Sequence, residues 1–287
     1  WAISAHPHGD CRVSQGKYAG KTLSGLYREH REMFGNLSYE EFPLLVKIID
    51  AKSDLSIQVH PGDAYAREKE KVPFGKTECW YIMDCDEGAE LVVGHHARTH
   101  EELRQMVEEN RYEELIRRVP VQKGDMIQID PGTVHPISVG CLILETQQNS
   151  DITYRVYDYN RLVDGKPRQL HVSQSIDVIN VPDESYQCAI KKAAPQEPNA
   201  WSLLTQSDYY KVWKLVVKDN FTFEQEHPFL IVSVLEGRGI IEGHSVGKGA
   251  HLLIPAGYGR VEMLGDMEII ASTAVEDSAA AERKAAR

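Results

Sequence analysis

Apolar residues along this chain come in short bursts closed by Gly, Pro or Asp, and only rarely at the three-to-four spacing of a helix. Residues 44–49 form a β-branched apolar run, and residues 55–60 alternate apolar with polar until Pro61 stops them. Residues 79–83 and 91–94 read as two further strands, separated by a turn at Asp86, Glu87 and Gly88. The bursts resume at 126–129, 137–139, 142–146 and 153–157. Many short strands at this spacing predict a sandwich or barrel, of which the jelly roll is the natural form. Helical patterning is local. Residues 23–34 carry it and end at Gly35, and Ser38 with Glu41 has capping-box spacing, predicting a short helix over 38–42. The polar stretch 63–71 is helix or loop. Thr99 and Glu102 repeat the capping-box spacing ahead of an apolar stripe of Leu103, Met106, Val107, Leu115 and Ile116, so a helical insertion is expected over about 99–118.

Composition shifts at 183–200, where Pro, Gln, Lys, Ala and Glu displace apolar periodicity, and this stretch is expected to be a linker. It divides a first domain, 1–182, from a second strand-rich block, 201–275; the Ala-rich, charged residues 276–287 are expected to fray. The halves share a faint repeat. Lys123-Gly124 leads through an apolar strand to Pro131-Gly132 and His135, and Lys248-Gly249 leads to Pro255-Ala256-Gly257 and Arg260. Arg260 falls where His135 falls, so one copy offers a metal ligand and the other a cation that cannot coordinate. The expected fold is mainly β: two jelly-roll domains, a small helical insertion in the first, and a metal site only in the first.

With 42% apolar and 26% charged residues the chain falls outside the disordered, collagenous and membrane classes, and its 287 residues suffice for two cores. No apolar run reaches the roughly 18–20 residues of a membrane span. Thirty-two basic against 43 acidic side chains give a net charge of −11, the wrong sign for a nucleic-acid binder. The five cysteines, Cys11, Cys79, Cys85, Cys141 and Cys188, are scattered without a C-x-x-C pair, which points to a reducing, cytoplasmic compartment.

Candidate chemistry gathers in the first domain. Gln58 and His60 stand two apart on a predicted strand and so project from one face. Glu78 opens the next strand, and His135 follows in the loop Pro131-Gly132-Thr133-Val134-His135. Two imidazoles, a carboxylate and an amide oxygen suit Zn2+ or another first-row divalent ion, with room left for water or substrate. Each residue also has a plainer reading: Gln58 as a solvent-facing strand residue, Glu78 as a surface charge, His135 as a loop histidine with one hydrogen bond. His60, Glu78 and His135 equally match the facial triad of non-haem Fe(II), and spacing alone leaves the metal open. His6 and His8 flank Pro7 ahead of Gly9 and read as a turn, while the adjacent His95 and His96 point in opposite directions on a strand. Trp80, Tyr154 and Tyr157 read as core or pocket wall.

The strings SIQVHP (56–61), GKTECWYI (75–82), PGTVHPI (131–137) and LETQQNSDITYRVYDYNR (144–161) resemble, in order, the metal and active-site segments of type I mannose-6-phosphate isomerases in their short bacterial form. The resemblance runs from Trp1 to about Val275. It implies two cupin-type domains, one zinc per chain on Gln58, His60, Glu78 and His135, and interconversion of mannose 6-phosphate and fructose 6-phosphate. A small sugar phosphate is then the expected partner, with neither nucleic acid nor membrane. It also implies further sequence upstream of Trp1, so that this chain begins inside the catalytic domain.

Aldose-ketose isomerisation passes through an enediol and needs a base, an acid for the oxygens and a stabiliser for negative charge. A divalent metal supplies the last. Lys76, two residues before Glu78, can reach the site as a proton shuttle or phosphate contact, its alternative being a solvated surface lysine. Glu145 and Arg155 match positions the family places in the active site. Arg155 keeps its proton, which suits phosphate or sugar oxygens rather than proton abstraction. Glu145, Lys76 and a metal-bound hydroxide stay open as the base. Two rival readings are an Fe(II) dioxygenase and a non-catalytic sugar-phosphate-binding cupin; Lys76, Glu145 and Arg155 count against the first, and Lys76 with Glu145 against the second.

Overall fold

The computed structural model describes residues 1–184 and 186–276, so most of the expected tail, residues 277–287, lies outside the described residues. In chain order the first strands are Leu44–Asp50 (β1), Ile57–Val59 (β2), Glu78–Cys85 (β3), Glu90–His95 (β4), Ile116–Pro120 (β5) and Met126–Ile129 (β6). Cys141–Gln148 (β7), Tyr154–Tyr157 (β8), Leu162–Val163 (β9), Lys166–Pro167 (β10) and Ile190–Lys191 (β11) follow. Ser202–Gln206, Tyr210–Val217, Asn220–Gln225, Phe229–Ile241, His244–Gly247, His251–Pro255 and Gly259–Ala274 complete the set as β12 to β18. The helices are Leu23–Glu29 (α1), Asp63–Tyr65 (α2), His100–Glu108 (α3), Tyr112–Leu115 (α4), Val172–Val178 (α5) and Tyr186–Ala189 (α6).

Compactness divides the chain into residues 48–193 and a second unit made of residues 1–47 with those from 194 onward. The expected boundary at 183–200 assigned residues 1–47 to the first domain, and the compact units differ from it there. Aromatic packing accounts for the difference: the rings of Phe34 and Phe42 lie 6.0 and 5.1 Å from that of Phe229, and Tyr27 packs edge-on to both. Contacts between residues so far apart in sequence leave no periodic trace.

In the unit of residues 48–193 the main sheet has the order β7-β3-β6-β11, residues 48–50 of β1 lying beside β7, with β2 paired to β8 and β4 to β5. Trp80, Ile82, Ile127, Ile129 and Ile143 fill one core; Ile57, Val59, Val134, Tyr154 and Val156 meet Leu103, Met106 and Val107 of α3 in another. Thr99 caps α3 as its spacing predicts, its Oγ1 accepting from the Glu102 amide at 3.1 Å. The insertion ends sooner than expected, because Ile116 onward pairs with β4, Val119 opposite Leu91. Residues 137–139 make no strand, although the Ile137 carbonyl accepts from the Leu55 amide at 2.8 Å. The first part of the expected linker is likewise structured. α6 and β11 lie within it, Ile190 pairs with Ile127, and buried Asp125 holds the Lys192 ammonium at 2.9 Å and the Ala193 amide at 2.8 Å.

The other unit carries a seven-stranded sheet, β12-β13-β18-β15-β16, with β14 on β18 and β17 on β15. Its apolar core includes Leu215, Val232, Val234, Val261, Met263 and Ile269. The expected helix over 23–34 breaks at His30 into α1 and a 3-10 turn, Arg31–Phe34, closed by Gly35. No helix forms over 38–42. The Ser38 amide, which a capping box would give to Glu41, donates to Glu276, and Pro43 has no N–H for the Tyr39 carbonyl, which accepts from Arg31. The faint repeat has a structural counterpart: Gly124 and Gly249 both adopt left-handed φ, 92° and 84°, and donate their amides to Ile82 at 2.8 Å and Val234 at 2.9 Å.

Candidate active site

Three short segments of the unit 48–193 supply the clustered donors. β2 carries Gln58, and His60 follows where Pro61 ends the strand; β3 opens with Glu78; the loop before β7 brings His135 back to form a bridge with Gln58. The backbones of Gln58 and His135 exchange hydrogen bonds of 3.3 and 2.9 Å. Gly75 lets the start of β3 lie directly on the turn after His60. A Cβ there would stand 2.4 Å from the Gly62 carbonyl carbon and 2.5 Å from the Pro61 oxygen, and the next amide, Lys76, donates to that Pro61 oxygen at 2.9 Å. Asp63 locks the approach, its Oδ1 accepting from the Gly75 amide at 2.8 Å and from Gln148 Nε2 at 2.9 Å, while Gln148 Oε1 accepts from the Thr77 amide at 2.8 Å.

The reactive groups are buried. His60, Glu78 and His135 are at most 1% exposed, Lys76 4% and Glu145 2%. Nε2 of His60 and Nε2 of His135 lie 3.0 Å apart, and Glu78 places Oε2 3.5 Å from the first and Oε1 3.4 Å from the second. Because the Thr133 carbonyl, 2.9 Å from His135 Nδ1, can only accept, Nδ1 bears the proton and Nε2 offers its lone pair to the cluster. Burial pushes the His135 pKa down, favouring the neutral ligand form, with Glu78 opposing. Lys76 Nζ sits 2.7 Å from Glu78 Oε2 and 2.9 Å from His60 Nε2. Burial works against its charge, but the Glu78 and Glu145 carboxylates more than compensate, and the pKa of Lys76 is raised.

His60, Glu78 and His135 bring one donor atom each within 4.8 Å of one another, and two imidazoles with a carboxylate fit a divalent transition metal. Gln58 is adjacent, its Nε2 3.3 Å from His135 Nε2, but its oxygen accepts from Ser56 Oγ at 3.2 Å; ligation through oxygen requires the amide to turn over. Arg155 is the register partner of Gln58 across β2 and β8 and shares its face. Its guanidinium makes no ion pair or hydrogen bond among the described residues, and burial, followed by the nearby Arg168, lowers its pKa. Glu145 lies opposite Trp80 across β3 and β7.

A family model of the type I phosphomannose isomerase catalytic domain matches residues 1–95, and one of the mannose-6-phosphate isomerase cupin domain matches residues 201–274. Mannose-6-phosphate isomerase ManA of Bacillus subtilis (strain 168) is 46% identical over 277 residues, covering 95% of this chain and 88% of that protein. The chain belongs to the type I mannose-6-phosphate isomerase family. A mannose-6-phosphate isomerase of Streptococcus mutans is also 46% identical, over 285 residues, covering 95% of this chain and 87% of its own. The crystal structure of the Bacillus subtilis mannose 6-phosphate isomerase matches with a TM-score of 0.84 at 40% identity, covering 95% of this chain and 88% of that one.

As a type I isomerase the chain is mainly β with a cupin domain, and the isomerase reading prevails over the dioxygenase and the non-catalytic binder. Two residues of the site escaped sequence reasoning. Gly75 gave no signal, since nothing along the chain marks the backbone it must approach. Trp80 was legible in part: it stands two after Glu78, hence on the same strand face. Its indole N–H lies 3.0 Å from Glu78 Oε1 and 3.2 Å from Glu145 Oε2.

Proposed function

We propose that this isomerase interconverts mannose 6-phosphate and fructose 6-phosphate by moving a proton between C1 and C2 in the buried site around Glu78. The observation that carries this reading is the convergence of His60, Glu78 and His135 beside two buried ionisable groups, Lys76 and Glu145. Zinc is the metal best suited to this donor set, one ion on His60, Glu78, His135 and a turned-over Gln58. Bound there, it would supply positive charge to the oxygens of the enediolate. Lys76 and Glu145 hold and move the protons. Arg155, half-buried beside Gln58 with no guanidinium hydrogen bond or ion pair among the described residues, offers a planar fork of donors to the substrate phosphate.

Five free thiols support a reducing, cytoplasmic setting. Among the described residues no helix is long and apolar enough to cross a membrane.

A coupled assay following fructose 6-phosphate from mannose 6-phosphate tests the reaction, and two variants test the roles. Arg155→Ala should lose kcat/KM on mannose 6-phosphate while hardly changing any residual rate on unphosphorylated mannose. Lys76→Ala should keep most substrate affinity but lose turnover even at saturating zinc. If Lys76→Ala raises KM alone, proton transfer does not involve Lys76; equal losses on both sugars remove Arg155 from the phosphate.

A further inference from the structure

We propose that Trp80 is a positioning residue whose single indole N–H orients the carboxylates of Glu78 and Glu145 together. This rests on reading Glu78 as a metal ligand. The two-residue period of β3 sets Trp80 on the face of Glu78, and the register between β3 and β7 sets Glu145 directly opposite Trp80. The indole, fully buried, thereby reaches Glu78 Oε1 at 3.0 Å and Glu145 Oε2 at 3.2 Å.

An indole donates one hydrogen bond and accepts none, so it suits a position flanked by two carboxylates better than any hydroxyl or amide of similar reach. Donation to a buried carboxylate is charge-assisted, and strong where no water competes. Glu78 is contacted on both oxygens: Trp80 donates to Oε1, and the Lys76 ammonium forms an ion pair with Oε2 at 2.7 Å. The same indole stands edge-on to His135, ring centroids 5.5 Å apart and planes at 70°. One side chain therefore touches two of the three clustered donor residues and Glu145. A phenylalanine would fill most of the space and remove this one donor from both carboxylates.

Losing this N–H should give a double signature. Zinc affinity falls because the ligand carboxylate loses an orienting donor, and kcat falls at saturating zinc because Glu145 loses the same donor. KM should stay close to that of the wild type, since Arg155 belongs to β8. The test uses the full chain. Trp80→Phe is titrated with zinc against a chromogenic chelator and assayed at saturating zinc, and expected to bind zinc at least ~10-fold more weakly, the scale of lost outer hydrogen bonds at metal ligands. A fall in kcat of about 10-fold is expected with it, short of the roughly 100- to 10,000-fold that losing a proton-transfer group outright costs. Should Trp80→Phe fold poorly, replacing Trp80 alone by 3-benzothienylalanine keeps ring size and exchanges N–H for sulfur. The same double loss in that protein supports the proposal. Wild-type zinc affinity and kcat in it overturn the proposal. Glu78→Gln separates the underlying reading: if it binds zinc as tightly as wild type, Glu78 is not a ligand and both fail. A weakened Glu78→Gln beside an unaffected benzothienyl protein sinks the Trp80 role alone.

Discussion

At the residue scale, a carboxylate buried as completely as Glu78 persists only because charge and donors surround it: the Lys76 ammonium, the Trp80 indole and two imidazoles. Removing one imidazole leaves the Lys76–Glu78 pair in place, so His135→Ala is expected to fold but to lose bound zinc; metal analysis beside near-ultraviolet circular dichroism checks both halves. Gly75→Ala is expected to do the opposite kind of damage. The new methyl meets backbone at 2.4–2.6 Å, so the 61–63 turn must move, taking His60 and the Lys76 amide with it. Overpacking of this kind costs about 1–3 kcal/mol, and denaturant unfolding should record that loss together with weaker zinc binding. Full stability in Gly75→Ala would show that the turn yields without resistance.

At the element scale, α3 is the clearest case of a signal read correctly from spacing and then limited by tertiary pairing. Its Thr99 cap is local and leaves a mark in the sequence, whereas its end is set by β5 pairing with β4, which does not. Thr99→Ala should lower stability by roughly 1 kcal/mol and leave kcat and KM unchanged, because α3 supplies none of the site's groups. A matched pair of melting curve and progress curve is sufficient to check it. The absent helix at 38–42 follows the same logic. Ser38 and Glu41 have the right spacing, but Glu276 takes the Ser38 amide and Pro43 has no N–H for the Tyr39 carbonyl.

For the whole molecule, buried and half-buried histidines set the response to acid. Burial lowers the pKa of His95, His135, His171, His227 and His251 below 6.5. Each then binds its proton more readily unfolded than folded, so stability rises with pH across the window between folded and unfolded values. The metal-free protein should be level in stability above about pH 7.5 and lose it progressively as pH falls below 6.5 toward the depressed folded values. Asp158, held below its ordinary range chiefly by its hydrogen bond to Arg168, adds its own loss only in stronger acid. Melting temperatures of chelator-treated protein between pH 8 and pH 5, about the span that brackets the histidine window, give the direct reading; a rise on acidification contradicts it.

The sequence by itself determined the class of fold, the family and the candidate residues of the site. Short bursts closed by turn residues are a local property, and so is the alternation that puts Gln58 with His60, or Glu78 with Trp80, on one strand face. Four motifs in order then named the family and the residues His60, Glu78, His135, Lys76, Glu145 and Arg155, which are gathered in one compact unit. Only the tertiary structure decided how they meet. The bridge between Gln58 and His135, the register that opposes Trp80 to Glu145, the backbone contact that requires Gly75, and the packing of Phe34 and Phe42 on Phe229 all join positions far apart in the chain. Local spacing carries no record of such partners, because a strand's pattern fixes which face a side chain takes and not what stands across from it.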